Sequence, residues 1–169
     1  MENLTTRPVR MVFTSRAGGA SASPYDSFNL ALHVGDDEAQ VHANRRRLAT
    51  ILDLPEEHFV WMEQLHTNSV TVVDGPQGEP VEATDALVTT QTGLALCVLV
   101  ADCTPVLLSD HDAGVIAAVH AGRLGARNGI VARTVQQMVE LGAKSANIQA
   151  LLGPAAAGES YEVPAEMAD

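Results

Sequence analysis

The stretch "LALCVLVADCTPVLLSD", Leu94–Asp110, constrains this chain most. Most of it has the composition of a buried strand, but the run breaks for Asp102, Cys103, Thr104 and Pro105. A buried strand has no use for a carboxylate, and proline cannot donate to a sheet ladder. Either one strand ends here and another begins, or a thiol is being delivered to a working edge. The expectation is a strand over Leu94–Ala101 and a second over Pro105–Ser109.

Periodicity extends the pattern. "RMVFTS" (Arg10–Ser15) alternates as a short strand does. The Gly-, Ser- and Asp-rich segment that follows, from Arg16 to Asp37, is long for a structureless loop and therefore functional or disordered. Asp36 or Asp37 caps the next helix, which carries Val41, Leu48 and Leu52 on one face and stops at Pro55. "FVWMEQLH" reads as a strand ending near His66, and "SVTVVDG", "TDALVTT", "VIAAVHAG" and "NIQALLG" read as further strands. Arg127–Leu141 reads as a helix with an apolar stripe of Ile130, Val131, Val135, Met138 and Val139, closed by Gly142. Strands mixed with helices predict an α/β or α+β layered fold.

The net charge of −11 argues against non-specific binding to nucleic acid or anionic membranes. An anionic substrate then requires a local cluster of Arg or Lys, for which Arg16 and Arg45 are candidates. No apolar stretch approaches a membrane span, and "MENLTTRPVR" has no apolar signal core, so the expected compartment is the cytoplasm. The two cysteines, Cys97 and Cys103, do not suggest a disulfide framework.

His66, Cys103 and His120 each fall near an expected strand end, where open α/β sheets bind ligands. Two His and one Cys leave one position open on a tetrahedral zinc, as a catalytic site does. Their sequence separations fit no finger or knuckle, so spacing alone does not show a metal. A lone cysteine is more often a small buried hydrophobe; Cys97 fits that description, and Cys103, between Asp102 and Pro105, fits it poorly. The corner "HAGRLGARNGI" after the last central strand is equally well an ordinary strand-to-helix connection.

Taken in order, "TSRAGGASASPYDSFNLALHVGDD", "VHANRRRL", "WMEQLHTNSV", "TDALVTTQTGLALCVLVADCTPVLL" and "AAVHAGRLGARNGI" resemble the motifs of the YfiH-type family along essentially the whole chain. That family is described as polyphenol oxidases or laccases and understood as zinc-dependent purine nucleoside phosphorylases with adenosine deaminase activity. The resemblance implies one YfiH-like α/β domain over residues 1–169, related in architecture to toxin deamidases with a Cys–His pair. It implies a zinc site at His66, Cys103 and His120, which would also be the catalytic residues. It suggests Arg16, Asn29 and Arg45 as holders of phosphate or ribose, with purine nucleosides (inosine, guanosine, adenosine, methylthioadenosine) and phosphate as substrates. Two departures stand out. Arg123 and Leu124 replace the family's usual aromatic and Arg after "HAG". The segment "LLGPAAAGESYEV" has Ala and Ser where Cys is frequent. Family members also continue further, so a C-terminal part is expected to be missing. The competing readings are a copper-dependent polyphenol oxidase, for which six His are too few to build several copper centres; a metal-free hydrolase with Cys103 as nucleophile and His120 as base; and a non-catalytic binding module.

Overall fold

The computed structural model describes residues 9–164. It contains seven strands and three α-helices in a mixed α/β arrangement: α1 (Glu38–Leu52), β1 (Phe59–Val60), β2 (Val70–Val72), β3 (Ala86–Thr89), β4 (Ala95–Leu96), β5 (Thr104–Asp110), β6 (Val115–Ala121), α2 (Arg123–Arg127), α3 (Ile130–Glu140) and β7 (Gln149–Leu152). The larger sheet has the order β2-β3-β6-β5-β7, and all its pairs are antiparallel except β2 with β3. β1 and β4 form a separate parallel pair.

The apolar pattern follows from three cores stacked in layers. On one face of the large sheet, Ala86, Val88, Val106, Leu108, Val115, Ala117 and Val119 alternate inward against Ile130 and Met138 of α3. On the other face, Leu87 meets Val60, Met62 and Val73. The β1–β4 layer then turns its second face to α1, where Leu48, Ala49, Leu30 and Phe59 form the third core. The apolar run at Leu94 is now explained. Leu94, Leu96 and Val98 pack toward the large sheet, whereas Ala95, Cys97 and Leu99 pack toward α1. A segment that packs on both faces, each side chain half-buried, is apolar at every position.

Several local expectations need correction. Residues 10–15 form no strand, because their alternation finds no ladder partner. The strand expected over Leu94–Ala101 is hydrogen-bonded as a ladder only at Ala95–Leu96, and residues 97–103 are irregular. The helix expected over Arg127–Leu141 is present but begins at Ile130, after Gly129, whose φ of +78° lies in the left-handed region; Arg127 instead closes a separate short helix, α2. Val139 is exposed, and Thr134 takes the buried place between Ile130 and Met138 because positions four apart share a helix face. The long segment before α1 is ordered. Buried Asn44 donates to Ser21 Oγ and to the carbonyls of Ser27 and Asn29, and accepts from the Ala20 amide. Asp37 caps α1 through the amides of Ala39 and Gln40. Among the described residues, no helix is long and apolar enough to cross a membrane.

At the turn end of the β5–β6 hairpin, Asp110 is buried and accepts from the amides of Lys144 and Ala113. The Lys144 amide in particular holds this carboxyl below its ordinary value of 3.8. A depressed folded-state pKa stabilises the fold above the unfolded value, and the benefit disappears as pH falls through the folded value. Thermal melts should therefore show wild type more stable than Asp110→Asn at neutral pH, with the gap closing below about pH 4. A gap independent of pH would contradict this.

Candidate metal centre

Antiparallel pairing brings the first two members of the site together. Pro105 lies opposite His120 and Thr104 opposite Ala121, so the residues just beyond, Cys103 and Gly122, face each other at the same edge. Cys103 thus precedes the start of β5 rather than ending a strand. It still meets the end of β6, because the start of one antiparallel strand lies beside the end of its neighbour. Pro105 is tolerated inside this sheet: its carbonyl accepts from Gly153 N, so its nitrogen side faces the β7 side and leaves the ladder to β6 intact.

His66 arrives from the middle layer. The strand expected to run to His66 is hydrogen-bonded as a ladder only at Phe59–Val60. It continues through a bridge from Met62 to Val81 into a bend at His66, where φ is +60°. The Gln64 side chain donates to the Leu99 carbonyl at 2.7 Å and accepts from the Leu99 amide at 2.8 Å. One side chain thereby joins the segment leading to His66 to the segment leading to Cys103.

The His66 Nε2 to Cys103 Sγ distance is 3.7 Å, and the ligand atoms of His66, Cys103 and His120 all lie within 4.8 Å of one another. Zinc–nitrogen and zinc–sulfur bonds in tetrahedral geometry place N and S ligands about 3.6 Å apart, so the His66–Cys103 pair fits such an ion. The His66 and His120 rings meet edge to face, with centroids 4.7 Å apart. Gly122 forms the wall: a Cβ there would stand 2.9 Å from His66 Cδ2 and 3.3 Å from Cys103 Sγ. His66 is exposed, Cys103 half-buried and His120 buried, so the cluster opens to one side.

Asp85 lies beneath the cluster, fully buried at the residue before β3. It accepts from His120 Nδ1 at 2.8 Å, which leaves His120 Nε2 as the nitrogen available to the cluster. It also accepts from the amides of Leu65, His66 and Thr67 and from Thr67 Oγ1. Burial alone would raise its pKa. The hydrogen bonds from His120, Thr67 and His66 outweigh burial and hold the carboxyl below its ordinary value.

Asp85 was not among the residues picked out from the sequence, although the signal was present: a carboxylate at the head of "DALVT", a wholly buried segment. Asp102 drew notice for the same reason. It is exposed, in a bend, and is not extended opposite Cys103. Its charge, after burial, is the second influence raising the Cys103 thiol, followed by Asp85. Without a cation these influences favour the thiol over the thiolate, opposite to the tuning of an activated nucleophile. Cys97, in the layer against α1, is pushed up to about 12 by burial.

The other candidates have partners elsewhere. Arg16 donates to the Asp26 carbonyl and pairs with its carboxylate at 4.0 Å. Asn29 donates to the Ala31 carbonyl and to Asp36. Arg45 donates twice to the Leu30 carbonyl and lies 3.8 Å over the Trp61 ring. None of these recorded partners belongs to the His–Cys–His cluster.

Comparison with known proteins adds three findings. A family model described as multi-copper polyphenol oxidoreductase laccase matches residues 10–169. A purine nucleoside phosphorylase of Corynebacterium glutamicum is 67% identical over 164 residues, covering 96% of this chain and 67% of that protein. Another, of Mycobacterium tuberculosis, is 54% identical over 167 residues, covering 99% and 66%. Among solved structures, YlmD from Geobacillus stearothermophilus superposes with a TM-score of 0.85 at 35% identity, over 91% of this chain and 60% of that one. Bacillus licheniformis YfiH gives 0.84 at 32%, over 90% and 60%. The chain thus spans 66–67% of the length of these curated relatives and 60% of these solved structures.

Proposed function

The chain belongs to the multi-copper polyphenol oxidoreductase laccase family, and from that premise we propose that it is a zinc-dependent purine nucleoside phosphorylase that also deaminates adenosine. The observation that carries the proposal is the convergence of His66, Cys103 and His120 at one open edge, in a chain whose relatives bear the name purine nucleoside phosphorylase. The substrates would be inosine, guanosine, adenosine or methylthioadenosine, with phosphate. Residues 1–169 are read as one domain of this family, and the setting as cytoplasmic.

Zinc is favoured over copper by the number of donors. Among the described residues a group of three His, Cys, Asp or Glu able to hold a metal occurs once. Of the remaining His, His58 is tied to the Gly93 carbonyl at 2.8 Å, and His33 and His42 are exposed. A multi-copper oxidase needs several such groups. A metal-free Cys–His hydrolase is disfavoured by the raised thiol at Cys103. When bound, a zinc ion with one open position supplies Lewis acidity and acidifies water to near neutrality.

The chain's own residues do the rest. Cys103 binds as the thiolate. Leu65, Val100 and Leu124 are exposed apolar residues close in sequence to His66, Cys103 and His120 respectively, and give a purine ring apolar surface to lie against. Arg16, Asn29 and Arg45 are proposed to hold phosphate and ribose, with Arg16 the most accessible at 78% exposure. This role requires Arg45 to exchange its bonds to the Leu30 carbonyl for an anion.

The test is turnover with and without phosphate on zinc-loaded protein. Hypoxanthine should be released from inosine only with phosphate, and adenosine should give inosine without it. Arg45→Ala should impair phosphorolysis more than deamination. Equal loss of both in a folded, zinc-loaded variant would exclude the phosphate role. Absence of both reactions in zinc-loaded protein spanning the relatives' full length would overturn the assignment.

A further inference from the structure

We infer that Asp85 is the positioning residue that assembles this centre: one buried carboxylate sets both the ring tautomer of His120 and the backbone conformation that presents His66. The inference rests on the reading of His66, Cys103 and His120 as a metal site.

The geometry divides the work between the two oxygens. Oδ1 accepts from His120 Nδ1 at 2.8 Å and from the His66 amide at 3.0 Å. Oδ2 accepts from the Thr67 amide at 2.7 Å, Thr67 Oγ1 at 2.8 Å and the Leu65 amide at 3.2 Å. An ionised carboxylate only accepts hydrogen bonds. His120 must therefore carry its proton on Nδ1 and present a bare Nε2, the form a metal ligand requires.

The same charge faces three successive amides, a concave arrangement of the kind that binds anions. His66 stands at its centre with φ +60°. That region is unfavourable for a residue with a Cβ. The carboxylate offsets this, and the bend it holds keeps His66 Nε2 3.7 Å from Cys103 Sγ. The backbone adds a third tie, since the His120 amide donates to the Asp85 carbonyl.

An asparagine of the same shape cannot substitute. If its oxygen faces His66 and His120, its NH2 group meets the amides of Leu65 and Thr67, donor against donor. If it is turned round, its NH2 group faces His120 Nδ1 and drives the ring proton to Nε2. A purely structural buried carboxylate would change stability when replaced, but would not determine which ring nitrogen of His120 carries the proton.

Two measurements test this. Nitrogen-15 NMR of the imidazoles in metal-free wild type, in mildly alkaline buffer, should show His120 protonated at Nδ1. Asp85→Asn should weaken zinc and cobalt(II) binding by about ten- to a hundredfold in chelator competition, as loss of a ligand's orienting partner does. It should also alter the thiolate-to-cobalt absorption band, with circular dichroism confirming the fold. His120 protonated at Nε2 in wild type would overturn the inference, as would unchanged affinity and an unchanged cobalt band in folded Asp85→Asn. If Asp85→Asn does not fold, the wild-type tautomer alone decides. If wild type takes up no metal, the metal reading fails, and the tautomer still decides the role of Asp85.

Discussion

Cys103→Ala is expected to strip the metal from the purified protein and abolish both proposed reactions, while Cys97→Ala keeps them. The two thiols share a segment but differ in surroundings. Cys97 is packed with Leu30, Leu48 and Phe59, and its sulfur donates to the Ala95 carbonyl at 3.6 Å. Cys103 is half-buried, 3.7 Å from His66 Nε2 and 3.3 Å from where a Gly122 Cβ would be. Removing it deletes the single anionic donor of the set, so affinity should fall by more than the roughly hundredfold that outer partners command. Metal analysis after gel filtration gives the answer. Near-stoichiometric zinc in Cys103→Ala would eliminate the centre described above, and several copper ions in wild type would restore the oxidase reading.

Gly122→Ala should be nearly as damaging to activity, and for a steric reason alone. The φ of −68° at this position suits any residue, so alanine introduces no backbone strain. Its methyl would meet His66 Cδ2 at 2.9 Å, Cys103 Sγ at 3.3 Å and His120 Cε1 at 3.5 Å, all three donor side chains at once. The exposed His66 is the member free to yield, and in yielding it leaves the cluster. Overpacking of this kind destabilises by about 1–3 kcal/mol, so the folded variant can be assayed. The expected result is a protein that melts slightly earlier and binds metal poorly. Wild-type affinity in Gly122→Ala would mean that the three side chains do not occupy this space together.

What could be read from the sequence depended on how local each signal was. His66, Cys103 and His120 were selected by donor chemistry and by resemblance. The supporting argument, that ligands gather beyond the carboxyl ends of parallel strands, does not describe this mainly antiparallel sheet. The three side chains nevertheless meet at one edge, because the start of β5 lies beside the end of β6. That Leu94–Leu99 packs into the protein is legible as an unbroken apolar run, but its packing on two faces, α1 on one side and Leu87 on the other, is not. Strand pairing is non-local, so the alternation of Arg10–Ser15 could not reveal that it lacked a neighbour. Asp85 escaped notice because its four partner residues, Leu65, His66, Thr67 and His120, are distant in sequence, and nothing in "TDALVTT" names them.

The β5–β6 hairpin has a consequence for how such a chain can vary over generations. Cys103 and Gly122 lie at matched heights on its two arms, and the turn around Asp112 and Gly114 is at the opposite end. Extra residues accepted at that turn leave the register untouched and the donors in place. A single residue gained or lost within either arm slides one ladder past the other and exchanges inward for outward side chains. Changes of length are therefore better borne at the turn than in either arm: they cost the Asp110–Ala113 hydrogen bond there, while the register that sets the far edge is kept.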